Sequence, residues 1–151
     1  MAECKNIMVY VETAEGNPVK VGLEMLSPAK KLADKVTAVV IGGGVADAAK
    51  EVAKAGADQV ICVDSEDYKE FNLDAYAQVL VELVKEENPE AVFVGGTQDG
   101  KDIAPVVAAK CNTGCASDVL DIKAEDGEVI YTCPLYGGTV LEDVKIKTTP
   151  V

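Results

Sequence analysis

The sequence predicts an α/β protein with a Rossmann-like, open and mostly parallel sheet, helices on both faces, and antiparallel strands added at the C-terminal end. Three observations support this fold class. Short apolar runs rich in β-branched residues alternate four times with segments of helical period. After Ala116 the pattern changes to strands alone. A length of 151 residues suits one sizeable core, so we assign residues 1–151 to a single α/β domain.

The first strand and helix are predicted within residues 7–36. Residues 7–11 are nearly all apolar, as in a parallel strand that is buried on both faces. Beyond a turn segment, apolar residues follow a helical spacing at Gly22, Met25, Ala29, Leu32 and Val36. Pro28 interrupts this spacing. We therefore expect a kink at the proline, or a helix restart with Ser27 as the N-cap.

Two strands flank the second predicted helix. The second strand spans residues 37–41 and runs into Gly42-Gly43-Gly44. We interpret these glycines as a packing turn, because they follow the second strand and lack the third glycine of a dinucleotide-binding motif. A helix from about Val45 to Ala55 comes next, and Gly56 ends it. The third strand is predicted over residues 59–63.

The clearest helical pattern begins after Asn72, which we predict as its N-cap. The buried stripe of this helix comprises Leu73, Tyr76, Ala77, Leu80 and Val84. Asn88-Pro89 then stops the helix, because the residue before a proline disfavours helical dihedrals. The fourth strand spans residues 91–94. It leads through the glycine-rich segment 95–100 into a helix that extends to about Lys110.

The last third of the chain is predicted to contain strands alone. These strands span residues 118–123, 129–133 and 139–148. The dipeptide Asp126-Gly127 lies between the first two, and this pair is typical of a two-residue hairpin turn. We therefore expect either an antiparallel addition to the main sheet or a ribbon that leaves it.

Composition excludes several classes of function. The formal net charge is −12, so a nucleic-acid backbone would be repelled and nucleic acid is not expected as a partner. The chain contains no histidine, and all 14 of its cationic residues are lysines. Histidine-dependent catalysis and bidentate arginine clamps are therefore impossible within it. No arrangement of side chains suggests catalysis, so we predict no catalytic residue and no enzymatic activity.

The five cysteines, Cys4, Cys62, Cys111, Cys115 and Cys133, favour reduced thiols in the cytoplasm. Their number is odd, and no two have the spacing of a redox or zinc motif, so no metal site is predicted. The sequence also shows no signal peptide and no apolar run long enough to span a bilayer, so we expect no membrane insertion.

The expected ligand crevice lies beyond the carboxyl ends of the strands, between the loops after Val11 and Val94. Four residues of the second loop are candidates for holding an anion, namely Gly96, Thr97, Gly100 and Lys101. The alternative is a tight strand-to-helix turn, which we favour because four carboxylates crowd the region and oppose phosphate, those of Glu12, Glu15, Asp99 and Asp102. We accordingly expect AMP and ATP to bind weakly or not at all.

Three segments carry a family resemblance that covers essentially the whole chain. They are Val9-Tyr10-Val11-Glu12, the run GTQDGKDIAPVVAAK at residues 96–110, and Pro134-Leu135-Tyr136-Gly137-Gly138-Thr139. In these segments the chain resembles the N-terminal domain of the electron-transfer flavoprotein alpha subunit. Thr139 stands where that family usually has asparagine, and Cys133 where many members have arginine. These two departures concern interface contacts rather than the fold.

The resemblance implies several properties that the residues alone do not. Together with the four strand–helix units, it implies the strand order 3-2-1-4-5. It implies a longer, two-domain subunit whose C-terminal FAD domain is absent here, so that no flavin-binding residue falls within residues 1–151. It also implies a beta subunit as partner and electron transfer between dehydrogenases and other redox partners.

Two functional hypotheses follow. The first is a scaffolding and subunit-contact domain of an electron-transfer flavoprotein, with its contact surface between Ala116 and Val151. The second is a free-standing adenine-nucleotide-binding domain of the universal-stress-protein type, for which Gly96, Thr97, Gly100 and Lys101 would be the binding residues. Under the first hypothesis we expect the purified chain to carry no stoichiometric flavin.

Overall fold

The computed structural model describes residues 4–150 of the chain. The assignment of residues 1–151 to one domain therefore includes residues 1–3 and 151, which lie outside the described part. In chain order the elements are β1 (Cys4–Tyr10), β2 (Thr13–Ala14), β3 (Asn17–Pro18), α1 (Lys20–Leu32), β4 (Ala33–Gly42), α2 (Ala46–Lys54), β5 (Gln59–Asp64), α3 (Leu73–Glu87), β6 (Ala91–Val94), α4 (Gln98–Lys110), β7 (Asp121–Glu125), β8 (Glu128–Leu135) and β9 (Val140–Lys145).

A four-stranded parallel sheet forms the centre of the molecule, in the order β5-β4-β1-β6. The four predicted strands thus take the predicted order 3-2-1-4. Buried side chains of β1 and β4 pack on both faces of this sheet, against α1 and α2 on one side and against α3 and α4 on the other. The predicted α/β class with helices on both faces is confirmed.

The first helix differs from its predicted form. α1 runs without a break through Pro28, so the predicted restart with Ser27 as N-cap is not observed. Leu26 and Ala29, on either side of the proline, are both buried, and the apolar face therefore continues past it. Val36, predicted as part of the helix, lies in β4, where its backbone N–H donates to the Asp58 carboxylate at 2.8 Å.

The predicted helix boundaries elsewhere agree closely with the structure. The Asn72 side chain accepts a hydrogen bond of 3.0 Å from the backbone N–H of Ala75 and so caps α3 as predicted. Asn88 ends α3 with a left-handed backbone, at φ 46°. Gly56 follows α2 with φ 115°, a conformation that glycine adopts without strain.

The last three strands form a separate antiparallel sheet in the order β7-β8-β9, which we call the ribbon. The predicted hairpin is present, since Asp126 and Gly127 both have positive φ and join β7 to β8. Within residues 4–150, however, none of these strands pairs with β6, so the fifth position of the predicted order is not filled. Of the two predicted alternatives, the ribbon that leaves the main sheet is the one observed.

The ribbon is attached to the main sheet through its central strand. Val129, Tyr131 and Cys133 of β8 are buried in the same core cluster as β1 and α1. These three residues alternate along β8 and so share the face on the core, while Ile130 on the other face is buried as well. Among residues 4–150, no helix is long and apolar enough to cross a membrane.

Candidate functional site

A crevice of about 430 Å³ opens at the carboxyl ends of β1 and β4, which is where ligands bind in open α/β sheets. The side chains that define its chemistry are those of Tyr10, Glu12, Glu15, Lys69, Tyr76 and Asp99. The crevice lies at the expected carboxyl edge of the sheet. It sits at the first and second predicted strands, however, and not between the loops after Val11 and Val94, since Asp99 is its lining residue from the segment after β6. Its lining adds two aromatic residues and Lys69 to the carboxylates that sequence reasoning placed there.

Glu12 is a partly buried carboxylate of the crevice that is held by a hydrogen bond. It directly follows β1, and its carboxylate accepts a hydrogen bond from the Thr97 hydroxyl. Burial raises the pKa of the Glu12 carboxyl, the Thr97 hydrogen bond opposes this rise, and the charge of Asp99 adds to it. The carboxylate form of Glu12 is therefore held in a partly desolvated place next to another negative charge.

Thr97 and Gly100, two of the candidate anion-binding residues, form part of the turn from β6 into α4. Thr97 is the N-cap of α4, and its hydroxyl oxygen accepts a hydrogen bond of 2.9 Å from the Gly100 backbone N–H. Gly100 sits so close to the preceding loop that a Cβ atom there would lie 1.9 Å from the carbonyl oxygen of Gly95. These contacts fix the geometry of the strand-to-helix turn.

Lys101 does not line the crevice. Its ammonium group lies 2.9 Å from the Asp118 carboxylate, beside a separate cavity of about 220 Å³ that Gly96 and Gly100 also line. Asp102, also expected near the crevice, is exposed on α4 and is not part of the lining. The cation that does line the crevice is Lys69, on the loop after β5.

Lys69 and the two tyrosines were missed by sequence reasoning. The signal for Lys69 was available, because the loop after the third strand ends at the same sheet edge as the loop after the first. Tyr10 and Tyr76 look like core residues in the sequence, and both are largely buried. Each also carries a hydroxyl group that can form a hydrogen bond in the crevice, and hydrophobic periodicity does not reveal this property.

Gly42-Gly43-Gly44 behave as a packing turn. A Cβ atom at Gly42 would lie 2.6 Å from a methyl group of Val45, and one at Gly43 would lie 3.1 Å from the Cα of Lys69. The Gly44 backbone N–H donates to the Asp64 carboxylate at 2.7 Å, and Gly44 has φ 70°. Each of the three glycines therefore contributes to the packing or the hydrogen bonding of this turn.

The thiols and carboxylates of residues 4–150 form no cluster of three that could hold a metal ion. Burial raises the pKa of the thiols of Cys62, Cys111, Cys115 and Cys133. A thiol with a raised pKa is mostly protonated at neutral pH and is a poor nucleophile.

A second candidate surface lies at one end of the ribbon. Five large apolar side chains are exposed there, namely Leu120, Leu135, Tyr136, Val140 and Leu141, which we call the ribbon tip. Leu135 pairs with Val140 across β8 and β9, and Leu120 bonds through its N–H to the carbonyl of Thr132. Tyr136 is 83% exposed at the turn between the two strands.

Together these features define a Rossmann-like α/β domain with an acidic crevice and an apolar antiparallel ribbon. The family model of the electron transfer flavoprotein domain matches residues 7–151. The chain therefore belongs to the electron transfer flavoprotein family, and the resemblance to the N-terminal domain of the alpha subunit is confirmed.

Individual relatives agree with the family assignment. Electron transfer flavoprotein alpha subunits from Clostridium acetobutylicum and Syntrophomonas wolfei are 36% and 38% identical to the chain, over 95% of its length. A protein of Anaerotignum propionicum named acryloyl-CoA reductase electron transfer subunit beta is 38% identical over 93% of the chain. The matches cover 44%, 45% and 46% of these relatives, so the chain spans less than half of their length.

Proposed function

We propose that this domain is the scaffolding and subunit-contact part of an electron-transfer flavoprotein, which carries electrons between dehydrogenases and other redox partners. Its partner is a beta subunit, which docks on the ribbon tip. FAD belongs to the full-length subunit, and residues 1–151 hold no flavin and catalyse no reaction themselves. The proposal places the protein in the cytoplasm, where its five cysteines would stay reduced.

The ribbon tip is the observation that carries this proposal. Leu120, Tyr136 and Leu141 are 66%, 83% and 60% exposed, and the strand pairing places them at the same end of the ribbon. Grouped apolar side chains in contact with water mark an interaction surface. The opposite end of the ribbon carries ion pairs, with the Glu128 carboxylate 2.7 Å from the ammonium groups of both Lys145 and Lys147.

The names of the relatives support the electron-transfer role. Two are electron transfer flavoprotein alpha subunits, and a third is an electron transfer subunit of acryloyl-CoA reductase. Because each relative is about twice as long as the matched region, a further part of such a subunit is available to hold the flavin. In the segment 96–101, Thr97 caps α4 and Lys101 forms an ion pair with Asp118. These two side chains are therefore already engaged and are not free to bind the pyrophosphate of FAD.

Co-expression with the beta subunit from the same organism tests the contact surface. We expect a one-to-one complex by size-exclusion chromatography with light scattering. The double variant Tyr136→Ala/Leu141→Ala should weaken it by at least about tenfold, as the loss of two central apolar contacts does. Glu125→Ala, at the opposite end of the same ribbon, is the matched control and should leave the complex intact.

Two results would contradict the proposal. One is a wild-type chain that forms no complex with the beta subunit. The other is a double variant that binds as tightly as Glu125→Ala while its far-UV circular dichroism remains native.

The adenine-nucleotide hypothesis has less support. Glu12, Glu15 and Asp99 line the crevice in which a nucleotide of a Rossmann-like domain would lie, and Lys101 points elsewhere. Three carboxylates oppose a phosphate more than the single Lys69 attracts it. Calorimetric titration with AMP is expected to give little heat, and micromolar affinity (about −8 kcal/mol) would favour this hypothesis instead.

A further inference from the structure

We propose that the crevice at the carboxyl ends of β1 and β4 binds a small aliphatic diamine, with its two ammonium groups on the crevice carboxylates. The crevice volume, about 430 Å³, falls in the range of small-molecule sites. This site is separate from the ribbon tip and does not depend on the subunit contact proposed above.

The charge of the crevice selects a cation. The carboxylates of Glu12, Glu15 and Asp99 line it, against the single ammonium of Lys69. That ammonium lies 3.4 Å from the Glu66 carboxylate, which offsets much of its charge. An anion entering the crevice would therefore be repelled, whereas a cation would relieve the repulsion between Glu12 and Asp99.

Tyr10 gives an independent sign of a ligand. Its side chain is 2% exposed and lines the crevice, yet within residues 4–150 its hydroxyl makes no hydrogen bond. Among the described residues the fully buried hydroxyl without a partner is that of Tyr131, so the Tyr10 hydroxyl keeps contact with the crevice and is free to bond a ligand there. The nearby Tyr76 differs, because its hydroxyl donates to the carbonyl of Tyr68.

The position of the Tyr10 hydroxyl suits an ammonium group. Tyr10, Glu12 and Asp99 line the same crevice, and burial, followed by the charges of the two carboxylates, raises the pKa of the Tyr10 hydroxyl. A primary ammonium offers three N–H donors. It can donate to the Tyr10 oxygen and to the Glu12 carboxylate at once.

The spread of the carboxylates favours an organic cation over a metal ion. No three acidic or thiol groups of the described residues converge closely enough to hold a metal. Glu15, which lies in the turn between β2 and β3 with φ 52°, lines the same crevice and can hold a second ammonium. The rings of Phe71 and Tyr76, 5.1 Å apart, provide apolar contact for the carbon chain between the charges.

Isothermal titration calorimetry of the 151-residue chain with 1,4-diaminobutane tests this site. We expect a dissociation constant of about 0.1 mM at low salt. Binding should weaken several-fold when the ionic strength is raised, because the attraction is between charges. Under the same conditions n-butylamine, which has one ammonium group, should bind at least about tenfold more weakly.

Three variants locate the site. Glu12→Gln should weaken binding by about tenfold, and Tyr10→Phe, which removes only the unpartnered hydroxyl, by about threefold. Glu86→Gln removes a charge from an exposed position at the far end of α3 and should change affinity less than about twofold. The proposal is overturned by any of three results: no heat with the diamine, equal affinity for the monoamine, or equal affinity of natively folded Glu12→Gln and Glu86→Gln.

Discussion

Two glycines in the loop after β6 look alike in the sequence and differ in the structure. At Gly100 a Cβ atom would lie 1.9 Å from the Gly95 carbonyl oxygen and 3.0 Å from the Glu12 carboxylate. At Gly96 the same atom would meet nothing within 4 Å, and the residue needs no positive φ. One glycine is therefore required by close backbone approach, while the other is replaceable.

The contrast gives a matched prediction. Gly100→Ala should lower the free energy of unfolding by about 3 kcal/mol, because backbone atoms must move apart to admit the methyl group. Gly96→Ala should change it by less than about 0.5 kcal/mol. Urea unfolding followed by circular dichroism measures both, and similar midpoints for the two variants would show that α4 does not approach Gly95 as described.

Glu12 makes stability depend on pH in the direction opposite to most carboxylates. Its pKa is raised in the folded state, mainly by burial, so the folded protein binds the proton more tightly than the unfolded chain does. Stability from this residue is present below the unfolded pKa and is lost as pH rises through the folded pKa. A neutral side chain at this position escapes the loss.

Glu12→Gln is therefore expected to gain stability over the wild type as pH rises from about 4 to neutrality, with the gain levelling off above the folded pKa. Glu86→Gln corrects for the general effect of removing one negative charge from an acidic protein. Unfolding free energies at five or six pH values would test this. A Glu12→Gln difference that follows the Glu86→Gln difference at every pH would contradict it.

At the scale of elements, two tyrosines show how differently α3 and β8 are held. The Tyr76 hydroxyl on α3 donates to the Tyr68 carbonyl and joins the helix to the preceding loop. The Tyr131 hydroxyl on β8 is buried and has no hydrogen-bond partner in the described residues. The ribbon is thus held on the main sheet by apolar contacts at this position.

Paired substitutions separate these two contributions. Tyr76→Phe should destabilise the protein by about 1 kcal/mol, because it removes a hydrogen bond and leaves the Tyr68 carbonyl without its partner. Tyr131→Phe should leave stability unchanged or raise it by up to about 1 kcal/mol, since it removes an unsatisfied buried group. Thermal and urea unfolding measure both; a marked loss of stability in Tyr131→Phe would show that its hydroxyl is satisfied.

Elements that depend on neighbouring residues were predicted correctly from the sequence, whereas elements that depend on distant parts of the chain were not. The cap at Asn72 and the hairpin at Asp126-Gly127 depend on neighbours within a few residues and were predicted correctly. The start of β4 at Ala33 was not predicted, because it depends on pairing with β1, which lies some thirty residues earlier in the chain. Pairing across that separation leaves no local signal.

The same reasoning applies to the crevice and to the fifth strand. Glu12, Glu15 and Asp99 were placed in the crevice from strand order, whereas Lys101 was placed there wrongly because its ion pair with Asp118 depends on the path of a later segment. The separate ribbon also depends on a long-range choice, since β7 pairs with β8 across a local turn instead of with β6. Local pairing forms with a smaller loop-closure cost.

For the molecule as a whole, acidity and the lack of arginine and histidine limit what it can hold. The net charge is −12, and the crevice at the carboxyl edge concentrates three carboxylates. A dinucleotide needs donors for its pyrophosphate, and a flavin needs a charge or hydrogen bond near its ring. The Thr97 hydroxyl and the Lys101 ammonium could serve as such donors. However, the Thr97 hydroxyl already donates to the Glu12 carboxylate, and the Lys101 ammonium already pairs with Asp118.

The chain purified alone is therefore expected to be colourless, and to stay so after incubation with excess FAD and removal of the free cofactor. The measurement is a visible absorption spectrum, with protein concentration determined independently so that bound flavin can be expressed per chain. A complete alpha–beta complex of the same family, treated in parallel, is the control that must retain the yellow colour. A chain that is yellow after purification, with one flavin bound, would place the flavin site within residues 1–151. The crevice carboxylates would then act as hydrogen-bond acceptors for the ribityl or ribose hydroxyl groups and not as a barrier to phosphate.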